Sequence, residues 1–467
     1  MKKIYLINIP ISHNDNRQIQ SLGMAYLATD LLKNNFKVTI VDGCGIHADL
    51  SIVDIKKEIL KDRPDYIGFY VIEFNLQLTL SLINELKSIY SFISFLGGPQ
   101  ASLLGKQIIE QNSCVDLITC GEMDEKISLI LNGEREISGL IYKKDGCIIK
   151  NDMTNSNCDL NSLPFPIREI DGEIYLTKEI INGKSVYSVP VSSSRGCPFN
   201  CTFCSVPAII KDQKIKWRFR SAENIMMEIQ YIYYKYKNIV IRFIDDNFFV
   251  DINRALQITE SLFKLGGIPF SFSARVDSIL KIDEELLILM KKKGLLTVEI
   301  GIENFCDTVL TRYQKGHTSL EAIKAINKLR KCGIQPSVDF IMFDPWTTIE
   351  ELSYNIKILN QEQLTTYYKP FIYHRLYPFP GTIYYKNIDL NNYFINKEVD
   401  LIYKKISEFK NDFGPIIDRI IQSDKFGVQK LICLKAPYKL LELLLEDPTL
   451  KIKNSEIVQS IISMSNT

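Results

Sequence analysis

Three cysteines crowd together in this 467-residue chain: Cys197, Cys201 and Cys204, within the segment SSSRGCPFNCTFCSVPA. Their C-x3-C-x2-C spacing lets three thiolates meet at one inorganic centre if the chain loops around it. Disulfide pairing would leave one thiol over. Soft thiolate ligands favour zinc, copper(I) or an iron–sulfur cluster. Structural zinc wants four closed ligands, but the nearest other cysteine, Cys158, lies on a separate segment, and His13, His47, His317 and His374 are all distant in sequence. A set of three suits a cubane 4Fe-4S cluster, whose fourth iron then stays free to bind something else. Phe203, beside the last thiolate, would shield such a centre from water.

Further polar groups stand at the ends of strand-like runs. Asp245 and Asp246 lie in Phe243-Ile244-Asp245-Asp246-Asn247-Phe248, and Arg275 in Ser273-Ala274-Arg275-Val276-Asp277. An Arg so placed can grip a carboxylate with two parallel hydrogen bonds. In Glu299-Ile300-Gly301-Ile302-Glu303 the alternation of a strand puts both Glu residues on one face with Gly301 between them. Two carboxylates on one buried face need hydrogen-bonding partners. A surface salt bridge or a helix cap is the plain alternative for each segment. None of these residues is assigned a catalytic role.

The elements that must position them follow from periodicity. In residues 1–132, apolar runs at 3–9, 37–42, 66–70, 93–97 and 115–120 alternate with segments such as 22–34 and 76–89, which repeat apolar residues at i, i+3 and i+4. Continuous runs signal strands covered on both faces, so an α/β domain with a doubly wound parallel sheet is expected. Ligands of such sheets bind in the loops beyond the strand C-termini. Here those loops hold Glu73-Phe74-Asn75, Gly97-Gly98-Pro99-Gln100 and Cys120-Gly121-Glu122. No G-x-G-x-x-G follows the first strand, which counts against a dinucleotide site.

Residues 133–186 read as a connector with a small hairpin at Asp145-Gly146. A second alternation fills 187–395, with strands expected at 187–192, 239–244, 270–274, 297–302, 335–343 and 366–373. Six strand–helix units fit a partial (β/α)6 barrel, with the cysteine trio in the loop after its first strand, where βα-loops build active sites. Residues 396–467 read as a C-terminal helical region, most apolar at 440–445.

Composition narrows the function classes. Hydrophobic residues at 46% and charged ones at 24% describe an ordinary globular chain, not a disordered or fibrous one. Lys+Arg 56 against Asp+Glu 55 leaves a net charge of +1, without the basic excess of a nucleic-acid binder. No run of about 18 apolar residues offers a membrane helix. The N-terminus turns polar at once without a small-residue cleavage site, so it reads as a buried strand and not a signal peptide. The other cysteines of the 11 are scattered, which suits a reducing compartment, and a cytoplasmic location is expected.

With Arg195-Gly196 before it and Phe203 before its last cysteine, the trio resembles the signature of radical S-adenosylmethionine enzymes. The resemblance implies that S-adenosylmethionine chelates the open iron and that one electron from the cluster cleaves it to a 5′-deoxyadenosyl radical. It places Asp245 and Asp246 near the methionine end of that cofactor, Arg275 near a carboxylate, and Glu299 and Glu303 near the ribose. Leu376-Tyr377-Pro378-Phe379-Pro380-Gly381-Thr382 also resembles the family. Phe343-Asp344-Pro345-Trp346-Thr347-Thr348 departs from its usual Gly-Pro-Gly-Glu-Thr.

The first domain resembles the cobalamin-binding domain of one branch of the family, through Ser21-Leu22-Gly23-Met24-Ala25-Tyr26-Leu27, Pro64-Asp65-Tyr66-Ile67-Gly68, Gly97-Gly98 and Gly121-Glu122. The D-x-H-x-x-G motif of His-ligated cobalamin is absent, since Ile11, Gly45, Lys315 and Ile372 stand two positions before the four histidines. The resemblance leaves the lower cobalt face to water or to a segment such as Glu73-Phe74-Asn75, and covers about residues 1–385.

It implies a cobalamin-dependent radical S-adenosylmethionine methyltransferase that modifies an unactivated carbon of a natural-product or peptide substrate, using a 5′-deoxyadenosyl radical and methylcobalamin. A cyclase, ring-contraction or rearrangement enzyme with the same cofactors is the alternative. An RNA methylthiotransferase would carry three more cluster cysteines, and Cys44, Cys114, Cys120 and Cys147 are too dispersed for that. A zinc-stabilised binding protein is the non-enzymatic reading. Expected partners are a small-molecule or peptide substrate and an external one-electron reductant of the flavodoxin or ferredoxin kind, with no membrane and no nucleic acid.

Overall fold

Apolar runs without alternation do become central strands. In the computed structural model, which describes residues 1–11, 20–153, 159–366, 370–389, 392–422 and 427–465, the first sheet has seven strands. His13, Cys158 and Tyr367 lie outside the described residues. The order across the sheet is Lys37–Asp42, Lys3–Asn8, Tyr66–Tyr70, Ile93–Gly97, Leu117–Thr119, Leu140–Lys144 and Cys147–Lys150. The first five strands are parallel. Lys3–Asn8 lies between the second and third strands of the chain, so the connections diverge there. A crevice opens at such a switch point, beyond the carboxyl ends of the strands.

The hairpin at Asp145-Gly146 forms, with φ of 50° and 77° at its two turn residues. It pairs antiparallel onto Leu117–Thr119 and so extends the first sheet instead of standing apart in a connector.

The second sheet runs Thr177–Ile181, Lys184–Val191, Ile239–Phe243, Phe270–Arg275, Leu295–Glu303 and Gln335–Phe340. Its first pair is antiparallel and the rest are parallel, giving an open half-barrel. The strand expected at 366–373 is not formed among the described residues. Leu364–Thr366 and Phe371–Tyr373 are short 3-10 turns, and the place of a further parallel strand is marked by one bridge, Phe343 to Arg375. Phe371 and Ile372 are 3% and 0% exposed, so these two residues are core without being strand. Pro370 lacks the N–H a ladder needs. Along Leu295–Glu303 burial alternates to the end, with Glu299, Gly301 and Glu303 on the less buried face, while the pairing register with Gln335–Phe340 slips between Gly301 and Glu303, where Glu303 has φ of 67°.

Helices Lys397–Gln422, Gly427–Glu446 and Glu456–Ser465 form the C-terminal region. Ile402, Ile406, Phe409, Leu440, Leu441 and Leu444 sink into the same core as the barrel.

A buried ionic latch joins the parts. Arg168, on the segment between the two sheets, donates to Glu228 on helix Ala222–Tyr236 (2.7 Å), to the Pro190 carbonyl (2.8 Å) and to Gln20 before the first helix (2.8 Å). Arg220 reaches the other oxygen of Glu228 at 2.6 Å, and the three charged side chains are 2–4% exposed. Removing one partner strands the others without water. Glu228→Ala is expected to destabilise the protein by about 3–5 kcal/mol, read as a large fall in Tm, and a loss below about 1 kcal/mol, the size of a surface pair, would contradict the latch.

Candidate active site

The cysteine loop starts where strand Lys184–Val191 ends. Ser194–Gly196 pairs antiparallel with Trp217–Phe219 and closes the loop at its base. Gly196 has φ of 84°, and a Cβ there would collide with the Lys216 carbonyl oxygen, so glycine is required at this close approach. At the far side, Thr202 donates its N–H to the Tyr313 carbonyl (3.1 Å) and its hydroxyl to the Arg312 carbonyl (2.9 Å). Cys204 precedes the short helix Ser205–Ile209.

The three thiols lie within electrostatic reach of one another. Burial pushes the Cys197 thiol up, and pushes that of Cys204 up to about 12. The Cys197 and Cys204 thiols therefore hold protons until a metal centre displaces them. Among the described residues no three His, Cys, Asp or Glu side chains converge on a single ion. A cubane differs in spreading its thiolates over separate irons. Phe203 packs against Tyr313 with ring centroids 5.0 Å apart, on the side where a water-excluding wall was expected.

Arg275 stands directly beside the trio, its Nη1 3.5 Å from Cys201 Sγ and its guanidinium 3.6 Å from the Phe199 ring centroid. Its Nε donates to Asp277 (2.9 Å) and its Nη2 to the Lys315 carbonyl, so part of its fork is already used. The two aspartates after the second parallel strand divide their roles. Asp245, 3% exposed, accepts from Ser193 Oγ (2.8 Å), Ser193 N–H (3.2 Å) and the Ser194 hydroxyl, and so holds the base of the cysteine loop. The Asp246 carboxyl, reached by the Gly196 N–H, is pushed up to about 6, first by lost hydration and then by Asp245.

Glu299 and Glu303 both find partners in the barrel: Ser273 Oγ donates to Glu299 (2.8 Å), and Lys315 Nζ to Glu303 (3.0 Å). A Cβ on Gly301 would stand 2.8 Å from Glu303 and 3.2 Å from Lys315 Nζ, so glycine makes room for that pair. Sequence reasoning missed Lys315 and His317, whose segment Lys315-Gly316-His317-Thr318 has no periodic or spacing signal. Asp344, in the segment that departs from the family pattern, is 1% exposed and pairs with Arg312 at 3.0 Å, while Arg312 also holds Glu351 at 3.1 Å. Its task is structural.

The crevice of the first sheet is a largely apolar cavity of about 330 Å³. Gly97, Gly98, Gly121 and Glu122 line it, together with Ser192, Arg195 and Ile244 from the barrel. Gly98 has φ of 101°, and the missing Cβ of Gly68 makes way for the Phe95 ring. Glu73 and Asn75 are not brought to this wall. Asn75 is fully buried and closes its own turn, donating to the Tyr70 carbonyl (3.0 Å) and accepting from Ile72 N–H (2.9 Å), while Glu73 accepts from Gln100. Tyr70 lines the cavity nearby.

Arg195, two residues before Cys197, grips Asp124 with two hydrogen bonds (2.6 and 3.1 Å), lies 3.2 Å from Glu122 and stacks over the Tyr26 ring at 5.1 Å. Glu122 also takes a bond from Arg218. A second cavity of about 590 Å³ occupies the barrel lumen and is lined by polar side chains such as Ser271, Ser273, Glu299, Ser337 and Arg242.

Residues 191–356 match the Radical SAM superfamily, a stretch that includes the trio, Asp245, Asp246, Arg275, Glu299 and Glu303. An uncharacterized methyltransferase of Pyrococcus horikoshii is 28% identical over 379 residues, covering 79% of each chain. The anaerobic magnesium-protoporphyrin IX monomethyl ester cyclase of Rubrivivax gelatinosus is 25% identical over 352 residues, covering 72% of this chain and 61% of its own. The solved structure of the cobalamin-dependent S-adenosylmethionine radical enzyme OxsB, with aqua-cobalamin and S-adenosylmethionine bound, aligns with a TM-score of 0.74 at 20% identity. That alignment covers 100% of this chain and 76% of OxsB, and it establishes a shared fold.

His317 gives this site a pH signature. It is 8% exposed, and its pKa is lowered to about 4 by burial first and then by Lys315 and Arg275. The unfolded chain binds this proton near pH 6.5 and the folded one only near 4, so stability is full above that window and falls as pH drops through it. His317→Gln is expected to remove about 3 kcal/mol of this fall between pH 6.5 and 4, measured as the difference in Tm between the two proteins. Parallel Tm profiles would contradict the assignment.

Proposed function

We propose that this chain, which belongs to the radical SAM superfamily through residues 191–356, is a cobalamin-dependent methyltransferase acting on an unactivated carbon of a natural-product or peptide substrate. The observation that carries this reading is the apolar cavity of the first sheet, which opens on the cysteine loop itself and is held there by Arg195. The residues fit both implied groups. Three thiols share one loop, and Gly97, Gly98 and Gly121 form a wall from which side chains have been removed, so a broad flat ligand meets backbone.

When bound, the cluster with S-adenosylmethionine supplies a carbon radical, and the corrinoid supplies a methyl group. The chain's own residues bind, orient and exclude water. Cys197, Cys201 and Cys204 hold the cluster, with the Arg275 cation beside Cys201 balancing its charge. Asp246 and the remaining donors of Arg275 would hold the amino and carboxylate groups of S-adenosylmethionine. Glu299 and the Glu303–Lys315 pair offer acceptors and a donor to its hydroxyls. Phe203 and Tyr313 keep water from the cluster. The substrate lies between the two cavities, and a flavodoxin- or ferredoxin-like reductant delivers the electron. Among the described residues no helix is long and apolar enough to cross a membrane.

The name of the Pyrococcus relative supports methyl transfer. The Rubrivivax relative supports a second reading, ring formation without methyl transfer at the same site. Product mass separates them, a gain of one methylene unit marking methylation.

Anaerobic reconstitution with iron and sulfide is expected to give one 4Fe-4S cluster per chain with its visible charge-transfer absorption, and Cys204→Ala to lose it. A colourless protein that never cleaves S-adenosylmethionine under strong reductant would overturn the proposal. Gly23 lines the first cavity, and a Cβ there meets nothing within 4 Å. Gly23→Trp is therefore expected to fill the cavity and weaken hydroxocobalamin binding at least about tenfold, a loss of roughly 1.4 kcal/mol, with little change in Tm. Unchanged affinity would remove the corrinoid from this cavity.

A further inference from the structure

Among the described residues one side chain lines both the first-sheet cavity and the barrel lumen: Ile244. It follows strand Ile239–Phe243, and its N–H donates to the Val191 carbonyl at 3.0 Å, which fixes its backbone at the carboxyl edge of the half-barrel. Its neighbours Phe243 and Asp245 are each 3% exposed and point into the protein, whereas Ile244 is 42% exposed. It borders both cavities. Two residues further on, Asp246 lies within electrostatic reach of the Cys197 and Cys204 thiols. The path from the cysteine loop to the first-sheet cavity therefore runs past this residue.

The chemistry of the two sides differs sharply. The lumen presents Ser271, Ser273, Glu299 and Arg242, and the first-sheet cavity is walled by Leu22, Met24 and Phe69. An apolar, β-branched side chain with few rotamers suits the boundary between them. It offers no hydrogen bond, so it favours a carbon without polar groups at the point where the cavities meet.

We propose that Ile244 is the neck of the active site, a specificity-determining residue that both the corrinoid and S-adenosylmethionine approach and against which the substrate's reacting carbon rests. This inference rests on the proposed function. The test is Ile244→Cys protein with its cluster reconstituted anaerobically, pulsed with iodoacetamide and mapped by peptide mass spectrometry at position 244. Hydroxocobalamin alone and S-adenosylmethionine alone are each expected to slow alkylation there by at least about fivefold at saturation, as occupancy of a shared site requires. Ile180→Cys, on the outer strand Thr177–Ile181 and 70% exposed in the native side chain, is expected to be alkylated at the same rate with either ligand.

Visible spectra and the electron paramagnetic resonance signal of the reduced cluster report independently whether each ligand is bound. Bound ligands that leave position 244 unprotected, or protection by only one of them, would overturn the neck while leaving the proposed function standing. Failure of either ligand to bind at all would overturn the proposed function, and the neck with it.

Discussion

The geometry of the site depends on one ion pair between parts of the chain 71 residues apart, Arg195 on Asp124. A guanidinium on a carboxylate in fork geometry fixes direction as well as distance. Here the two side chains are 19% and 14% exposed. They are tied to Glu122 and through it to Arg218, so the pair belongs with shielded networks and not with solvated surface pairs. Arg195 begins the loop that carries the cysteines, and Asp124 stands just beyond the last parallel strand of the first sheet. The clamp therefore sets which edge of the sheet faces the thiols. Arg168, Arg220 and Glu228 lock the same two units from behind.

Much of the polarity that looks functional is spent on this positioning. Asp245 holds the hydroxyls of Ser193 and Ser194, Asn75 closes its own turn, Asp344 neutralises Arg312, and Glu122 joins two arginines. Each is a buried or half-buried polar group with its bonding satisfied inside the protein, as a low-dielectric setting demands. Glu299 lines the barrel lumen, Asp246 and Arg275 stand beside the cysteine trio, and Glu303 pairs with Lys315. That division turns a loop of three thiols into a site with a polar side toward the barrel and an apolar side toward the first sheet.

Local pattern carried the reading of the sequence where local physics decides the structure. Unbroken apolar runs marked the parallel strands, and Asp145-Gly146 marked a hairpin whose positive φ values those residues accept. Pattern could not say which sheet the hairpin joins, because that is settled by pairing with Leu117–Thr119. Phe371–Tyr373 misled because burial selects apolar residues whether the backbone is extended or turned. Thr177–Ile181 went unread because an edge strand with Lys178 and Glu179 lacks the apolar signal of a central one. The cysteine trio was legible since its ligands are local. Lys315, His317 and the Arg195 clamp act through partners far off in sequence, so no short motif announces them.

The central claim is that a cluster and a corrinoid share one site, with the clamp holding their cavities together. The most direct measurement is electron paramagnetic resonance of protein carrying both a reduced cluster and cob(II)alamin. The account predicts a cobalt signal split or broadened by the neighbouring cluster spin, restored to its simple form when the cluster is left out. A spectrum that is only the sum of two isolated centres would contradict it.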